Sequence, residues 1–269
     1  MKAINAGHIL TFYEDVPTIE GACKVEGLIV PANPMLAFQV IIPQTITATD
    51  INVFARPVGT TNNIPLDCYE LSVSSNAELT IIENKKTQFI LPPSLTYFHL
   101  VLQITGYGTL YSCPLKEVAD LDCYSKIEFW NDCDTDFAYY SGGYKQEYYF
   151  AGYEGNAIVE ETEEVKTNGE GLLEVLSRIQ KEFVQVTIFD VLNENVGGIQ
   201  NIRGHSNVEY TNELGESLVS KEVNIDIVDT DCHNQVDIQL LSNVVLMGAC
   251  CEDKFTGLTT TTRNVSLSC

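Results

Sequence analysis

The sequence predicts a mainly all-β protein with two β-sandwich-like domains, the C-terminal one containing one short helix. Three observations lead to this prediction. Short apolar runs recur between turn residues along most of the chain. The 13 Tyr and 11 Phe residues favour sheets over helices. No segment has the alternating strand and helix pattern of a βαβ unit. A length of 269 residues allows one large domain or two smaller ones.

The first half of the chain contains evenly spaced strand candidates. Between them lie turn residues such as GTTNN at 59–63, PPS at 92–94 and GYG at 106–108. Runs of five to seven residues at this spacing are typical of an antiparallel sandwich or barrel. The predicted strands are residues 36–42, 51–55, 68–73, 78–82, 87–91, 98–104 and 109–113.

The second half is also predicted to be mostly β. The TNGEG sequence at 167–171 indicates a hairpin turn. Residues 172–183 have helical spacing, but they lie between that turn and an obvious strand, so we interpret them as extended. A short helix should follow at 190–198, with Gly197 and Gly198 at its C-terminus. The predicted strands are residues 126–130, 145–152, 156–165, 182–190, 207–211 and 220–229.

The end of the chain contains the longest apolar stretch, VDIQLLSNVVLMGACC at 236–251. Polar residues interrupt it, so it does not reach the ~18 to 20 apolar residues that a membrane span requires. We interpret it as two buried strands with a turn at Ser242 and Asn243. Residues 256–269 are rich in Thr and Ser and suggest a final strand or arm.

Three regions are predicted. Residues 1–30 form an N-terminal extension, 31–120 a β-sandwich domain, and 121–269 an oligomerisation domain. The join is placed within 114–126, a segment that begins with Pro114 and carries more charge than its flanks.

The charge argues against nucleic-acid and membrane-surface partners. The formal net charge is −22, with only 15 Lys and Arg, whereas phosphate binding needs clustered cations. Residues 1–125 carry −6 and residues 126–269 carry −16, so the second half should repel DNA and anionic lipid.

Nine cysteines raise the question of a disulfide scaffold. Their number is odd, the chain is long enough to form a core, and the first residues lack the apolar run of a signal peptide. We therefore expect free, mostly buried thiols in a protein that folds in a reducing cytoplasm.

Two groups of residues resemble metal ligands. Asp132, Asp134 and Asp136 match the start of a calcium loop, but Phe137 and Gly143 replace its required Gly and Glu. A polar turn is favoured, and adventitious cation binding stays open. Zinc is disfavoured, because adjacent cysteines on a strand point to opposite faces. The residues considered for zinc are Cys232, His233, Cys250 and Cys251.

No catalytic motif is present. The chain has four histidines, and His99, in the middle of an apolar run, is expected to be a hydrogen-bonded sheet residue. There is no nucleophile elbow, P-loop or dinucleotide fingerprint. We therefore predict no enzyme activity, no catalytic residues, no cofactor and no metal.

Tyrosine and phenylalanine are concentrated in residues 137–153. Such a cluster can stack on sugar rings, which suggests a carbohydrate-binding or adhesin module. It can equally form a strand core or a subunit interface, because Tyr offers a large contact area at low entropy cost. The members are Tyr139, Tyr140, Tyr144, Tyr148, Tyr149, Phe150 and Tyr153.

An ordered set of motifs resembles structural proteins of phages and prophages of gut Bacteroidetes, including the crAss-like group. The set covers about 105 residues and comprises IEFWNDCD at 127–134, GYKQEYYF at 143–150, EETEEV at 160–165, NGEG at 168–171, RIQKEF at 178–183 and VNIDIVDTDC at 223–232. The resemblance implies a tail or tail-hub component of the virion. It also implies that the C-terminal domain has a tail-hub or tail-tube-like fold and forms a homo-oligomeric ring around the DNA channel.

The resemblance leads to the hypothesis of a virion tail hub or adaptor subunit that contacts other tail or connector proteins. A head-to-tail connector ring, a carbohydrate-binding module and a Ca²⁺-dependent hydrolase are the alternatives. An acidic surface suits a channel through which DNA must slide without binding.

Overall fold

The computed structural model describes the following parts of the chain: residues 4–5, 9–16, 27–34, 36–43, 51–66, 71–76, 78–84, 89–131, 145–167, 170, 173–191, 193–229 and 234–248. Within them the protein is mostly β, as predicted, with one short α-helix.

The strands form three sheets. The four-stranded sheet contains, in spatial order, β1 (Ile4–Asn5), β4 (Phe38–Ile42), β8 (Thr80–Asn84) and β7 (Ser72–Ser75). The ten-stranded sheet contains β17 (Ser217–Ser220), β16 (Asn207–Thr211), β11 (Ser125–Trp130), β12 (Gln146–Phe150), β3 (Leu28–Val30), β10 (Gly108–Glu117), β9 (Tyr97–Ile104), β5 (Ile51–Pro57) and β6 (Ile64–Pro65), with β2 (Phe12–Tyr13) beside β10. The five-stranded sheet contains β13 (Gly152–Glu154), β15 (Leu173–Val191), β19 (Asn234–Gly248) and β18 (Val223–Asp229), with β14 (Ile158–Thr167) beside β15.

Strand β9 pairs antiparallel with β5 and β10. On one face Phe98, Leu100 and Leu102 are fully buried. On the other face Val101 and His99 are buried as well, whereas Gln103 is exposed. The β9–β10 connection turns at Gly106, whose φ of 84° favours glycine, so the predicted GYG turn is confirmed.

One predicted strand of the first half is wrong. The described part of the 87–91 run, Phe89–Leu91, is not a strand, although Phe89 is fully buried. The Phe89 N–H donates to the carbonyl of Pro34, and the Leu91 N–H reaches Asn33 Oδ1 at 3.4 Å. The apolar side chains therefore enter the core from a loop, and loop partners satisfy these two backbone donors.

Residues 172–183, as far as the structure describes them, belong to strand β15 and not to a helix, as predicted. The predicted turn at Ser242 and Asn243 is wrong, because β19 runs unbroken through both. The Ser242 hydroxyl donates to the carbonyl of Glu182 at 2.9 Å, and Asn243 Nδ2 donates to the Glu182 carboxylate at 3.2 Å. Hydrogen bonds to the neighbouring strand β15 thus hold these polar residues in a sheet.

Helix α1 (Asn193–Gln200) confirms the predicted short helix, displaced by two or three residues. Gly197 and Gly198 lie inside it rather than at its C-terminus, which corrects the predicted capping role. A 3₁₀ helix (Asn201–Gly204) follows directly and buries Ile202.

Contacts between residues group the chain into two compact units. Unit 1 contains residues 1–158 and 182–243, and unit 2 contains residues 159–181 and 244–269. The boundary predicted within 114–126 falls inside unit 1, where β10 passes through Pro114. Strands β15 and β19 each have residues in both units.

The core of unit 1 is a single cluster of buried side chains from all three sheets. Phe12 packs edge-on against Phe38, with ring centroids 4.9 Å apart. Of the cysteines in the described ranges, Cys113 is buried and Cys123 is exposed, and neither is part of a disulfide. The described residues contain no helix with both the length and the apolarity needed to cross a bilayer.

Candidate assembly surface

Strand β14 is the most exposed long strand that the structure describes. Its sequence is IVEETEEVKT, and every side chain from Val159 to Thr167 is exposed. The exposed fractions of Val159 and Val165 are 49% and 50%. A strand in a globular sheet normally buries one face, so β14 lacks the packing that usually stabilises a strand.

Local sequence and pairing explain why β14 is nevertheless extended. Five of its ten residues are β-branched, which favours strands. It pairs with β15. Arg178 of β15 forms an ion pair with Glu163, and the Ser177 hydroxyl donates to Glu164 at 3.2 Å. The predicted hairpin around 167–171 is therefore present as a strand pair.

Burial along β15 differs between the two units. In unit 1, Val186, Ile188 and Val191 are buried. In unit 2, none of the described side chains in 159–167 and 177–181 is buried. Exposed valines and an exposed ion pair stabilise a hairpin only weakly, because a surface ion pair contributes about 0–1 kcal/mol. The residues of unit 2 whose burial is described, 159–167, 170, 177–181 and 244–245, therefore contribute no buried side chain.

Charge and pairing make β14 a distinctive sheet edge. It carries four Glu and one Lys, a net charge of −3. Its only strand partner in the described chain is β15, so no described strand pairs with the backbone N–H and C=O groups of its other edge. This surface, β14 with its open edge, is named the acidic edge below.

A second unusual feature lies on the ten-stranded sheet. Glu128 of β11 is directly opposite Glu147 of β12 on one side and Glu209 of β16 on the other. Burial, followed by the charge of Glu128, raises the pKa of Glu147. Lys126 Nζ lies 2.8 Å from the Glu128 carboxylate. The three glutamates, named the carboxylate row, are like charges in opposed positions, which destabilises a sheet.

The indole of Trp130 is part of the same face. Lys145 Nζ lies 4.0 Å from the centroid of its ring, a cation–π contact. Trp130, which begins the sequence stretch richest in Asp and Tyr, is thus held by a neighbouring cation.

The aromatic cluster is divided by the sheet. Tyr148 and Phe150 face the core and stack with ring centroids 5.6 Å apart. Tyr149 faces outward, and its hydroxyl donates to Glu147 at 3.2 Å. Tyr153 is 62% exposed. Tyr139, Tyr140 and Tyr144 lie outside the described residues. The described members therefore do not form one platform.

The residues that the sequence analysis considered as cation ligands, and did not favour, fall outside the described residues. These are Asp132, Asp134 and Asp136, together with the residues considered for zinc, Cys232, His233, Cys250 and Cys251. Among the residues that are described, no group of three or more His, Cys, Asp or Glu has the arrangement of a metal site.

Two histidines are described within folded elements, and both have structural partners. His99 Nδ1 lies 2.8 Å from the carbonyl of Ser112, and burial lowers its pKa. His205 packs edge-on against Phe129, with centroids 4.7 Å apart, and burial lowers its pKa too. His99 is thus the hydrogen-bonded sheet residue that the sequence predicts.

Reasoning from the sequence missed both the acidic edge and the carboxylate row. The signal for the first was available: EETEEV lacks the apolar alternation of a half-buried strand. The carboxylate row depends on the register between strands that are far apart in sequence. A local sequence pattern does not predict that register.

No protein-family model, curated protein or solved structure matches this chain.

Proposed function

We propose that the protein is a structural subunit of a bacteriophage virion, a tail hub or adaptor that forms a homo-oligomeric ring around the DNA channel. The proposal rests on the motif resemblance described above and on one structural observation. That observation is strand β14 of unit 2, a regular ten-residue strand on which every side chain from Val159 to Thr167 is exposed.

An exposed strand such as β14 gains stability when it pairs and packs with a strand of another copy. Pairing the acidic edge with another strand would satisfy its backbone groups, and packing would remove Val159 and Val165 from water. Burial of apolar surface contributes roughly 25 cal/mol per Å². Repeated copies supply such partners in a ring, because closed rotational symmetry gives every subunit the same neighbours.

The charge distribution supports a DNA channel. The chain carries −22 overall, and the long exposed strand β14 carries −3. A channel wall that bound phosphate would retain the DNA, whereas an acidic wall repels it. The acidic charge suits a head-to-tail connector ring equally well, so it supports this alternative to the same extent.

A carbohydrate-binding or adhesin module is the second candidate. Tyr153 and Phe189 are 62% and 51% exposed, and Tyr153 is opposite Thr187, two residues from Phe189 on the same strand. Exposed aromatic rings on adjacent strands are the kind of surface on which a sugar ring stacks. Tyr153→Ala and Phe189→Ala should then abolish binding on a glycan array. Absence of any glycan binding by the unmodified chain would exclude the module.

The decisive experiment is quantitative mass spectrometry of density-purified phage particles from the source culture. We expect the intact chain at a fixed copy number, from a few to some tens per particle, relative to the major capsid protein. The same density fraction from an uninfected culture is the control. If the chain is absent from particles, the structural function is wrong.

A further inference from the structure

The three-stranded arrangement in unit 2 has two different edges. Strand β15 pairs with β14 on one side and with β19 on the other, so β15 is the middle strand. One edge is the acidic edge. Among the described strands, the other is the end of β19, residues Val244–Gly248, beyond the segment 234–240 that pairs with β18.

The two edges differ in charge. Residues 244–248 read VVLMG and carry no charge, whereas β14 carries four Glu within ten residues. Pairing two copies through β14 alone, about a two-fold axis, would place glutamates opposite glutamates. Like charges directly opposite each other destabilise a strand pair, so the charge pattern disfavours this symmetric contact.

The other described sheet edges are less suitable partners for β14. Strand β7 has four residues, β17 has four and β6 has two, all much shorter than β14. Strand β18 has seven residues but carries Asp226 and Asp229. The end of β19 belongs to a 15-residue strand, and its sequence contains no charged residue.

Charged residues on a sheet edge also serve to prevent pairing altogether. Short strands, prolines and bulges are other devices that prevent such pairing. Strand β14 is ten residues long, contains no proline and retains two half-exposed valines. Its glutamates therefore discriminate against a second β14 more than against an uncharged strand.

We infer that the acidic edge of one copy pairs with residues Val244–Gly248 of the next copy, head to tail. This inference rests on the proposed function, since it specifies the contact between ring subunits. Pairing of unlike edges leaves one edge open at each end of a dimer, so further copies add until the ring closes.

Cross-linking of two single variants tests the pairing. One carries Val159→Cys and the other Val245→Cys, so no cross-link between these positions can form within one chain. The mixed proteins are treated with a short bis-maleimide, and the joined peptides are identified by mass spectrometry, which separates them from products of the native cysteines. We expect cross-links between 159 and 245 in the mixture. Cross-links between two copies of Val159→Cys would overturn the head-to-tail contact.

Val73→Cys, on the exposed edge strand β7, is the matched control and should not cross-link to position 245. A second variant tests the charge argument. Val244→Asp places a carboxylate beside the glutamates of the neighbouring copy and should weaken self-association by about tenfold, a change of about 1.4 kcal/mol. Val73→Asp should leave it unchanged. Sedimentation velocity measures both, after a thermal melt confirms folding.

The outcomes separate the two proposals. The edge pairing is overturned if the full chain forms oligomers that show no cross-link between 159 and 245 and that tolerate Val244→Asp. That result does not affect the proposal of a ring. A chain that is absent from particles and monomeric at all concentrations overturns the proposed function, and the pairing with it.

Discussion

Glu147 shows how a single residue makes folding depend on pH. Burial and the opposed Glu128 raise its pKa above the ordinary 4.5, so the folded protein retains this proton to higher pH than the unfolded chain does. The associated stability is fully present below the unfolded pKa. It is lost as the pH rises through the folded pKa.

We therefore expect Glu147→Gln to raise the free energy of unfolding at pH 7 by about 0.5 kcal/mol, because it removes one opposed charge. It should also flatten the decline in stability as the pH rises above 4.5. Urea denaturation at a series of pH values measures this. Glu78→Gln, an exposed carboxylate outside the carboxylate row, is the control. An unchanged pH profile in Glu147→Gln would contradict the cause assigned here.

Gly27 and Gly59 illustrate two different reasons why a glycine resists substitution by alanine. Both have positive φ, 67° and 78°. A Cβ at Gly27 would lie 2.9 Å from the carbonyl oxygen of Pro114, whereas a Cβ at Gly59 would meet no atom within 4 Å. Gly27 thus allows the backbone at the start of β3 to approach β10 closely.

Gly27→Ala should destabilise the protein by about 2–3 kcal/mol, because it adds a backbone clash to an unfavourable φ. Gly59→Ala should cost about 1 kcal/mol, from the φ alone. Denaturant unfolding of the pair gives the difference. Equal losses would show that the approach to Pro114 can relax.

At the level of elements, the backbone ladder between β9 and β10 is interrupted at one point, where a side chain supplies the missing hydrogen bond. The ladder shifts register between Tyr111 and Pro114. At the break, the Leu100 N–H donates to Ser112 Oγ at 2.9 Å, and that hydroxyl donates to the carbonyl of Cys113 at 2.6 Å. Ser112 is fully buried, so these bonds replace the backbone partner that the irregularity removes.

Ser112→Ala should lower the free energy of unfolding by about 1–3 kcal/mol, because it leaves a buried N–H without an acceptor. Ser217→Ala, at an exposed position on β17, should change it by less than about 0.5 kcal/mol. Chemical denaturation of both variants measures the contrast. A neutral Ser112→Ala would mean that the break does not depend on this hydroxyl.

At the level of the whole molecule, the net charge of −22 predicts how assembly responds to salt. Copies of an acidic chain repel one another, and the Debye length falls from about 30 Å at 0.01 M to about 8 Å at 0.15 M ionic strength. Self-association should therefore strengthen as salt is added, measured by sedimentation velocity at the two concentrations. Binding to DNA would weaken with salt instead. Assembly that weakens with salt would show that attraction between charges holds the copies together.

The fold class and most strands were predictable from the sequence. Strand β16 coincides with its predicted range, because NVEYT joins β-branched and aromatic residues between polar turns. The extended conformation of 173–183 was predictable too, since a turn signal and a strand flank it. These features depend on neighbours in the sequence.

Only the tertiary structure decided which polar residues lie inside strands, which charges face each other and which strands stay exposed. Ser242 and Asn243 lie within a strand rather than a turn because Glu182, 60 residues away, bonds to both. The three glutamates of the carboxylate row meet because β11 takes its place between β12 and β16. Strand β14 has the composition of a strand, but whether a strand buries a face depends on what packs against it. Composition and local pattern therefore determined which segments are extended, while pairing register and burial, which join distant residues, determined the exposed edge on which the proposed assembly depends.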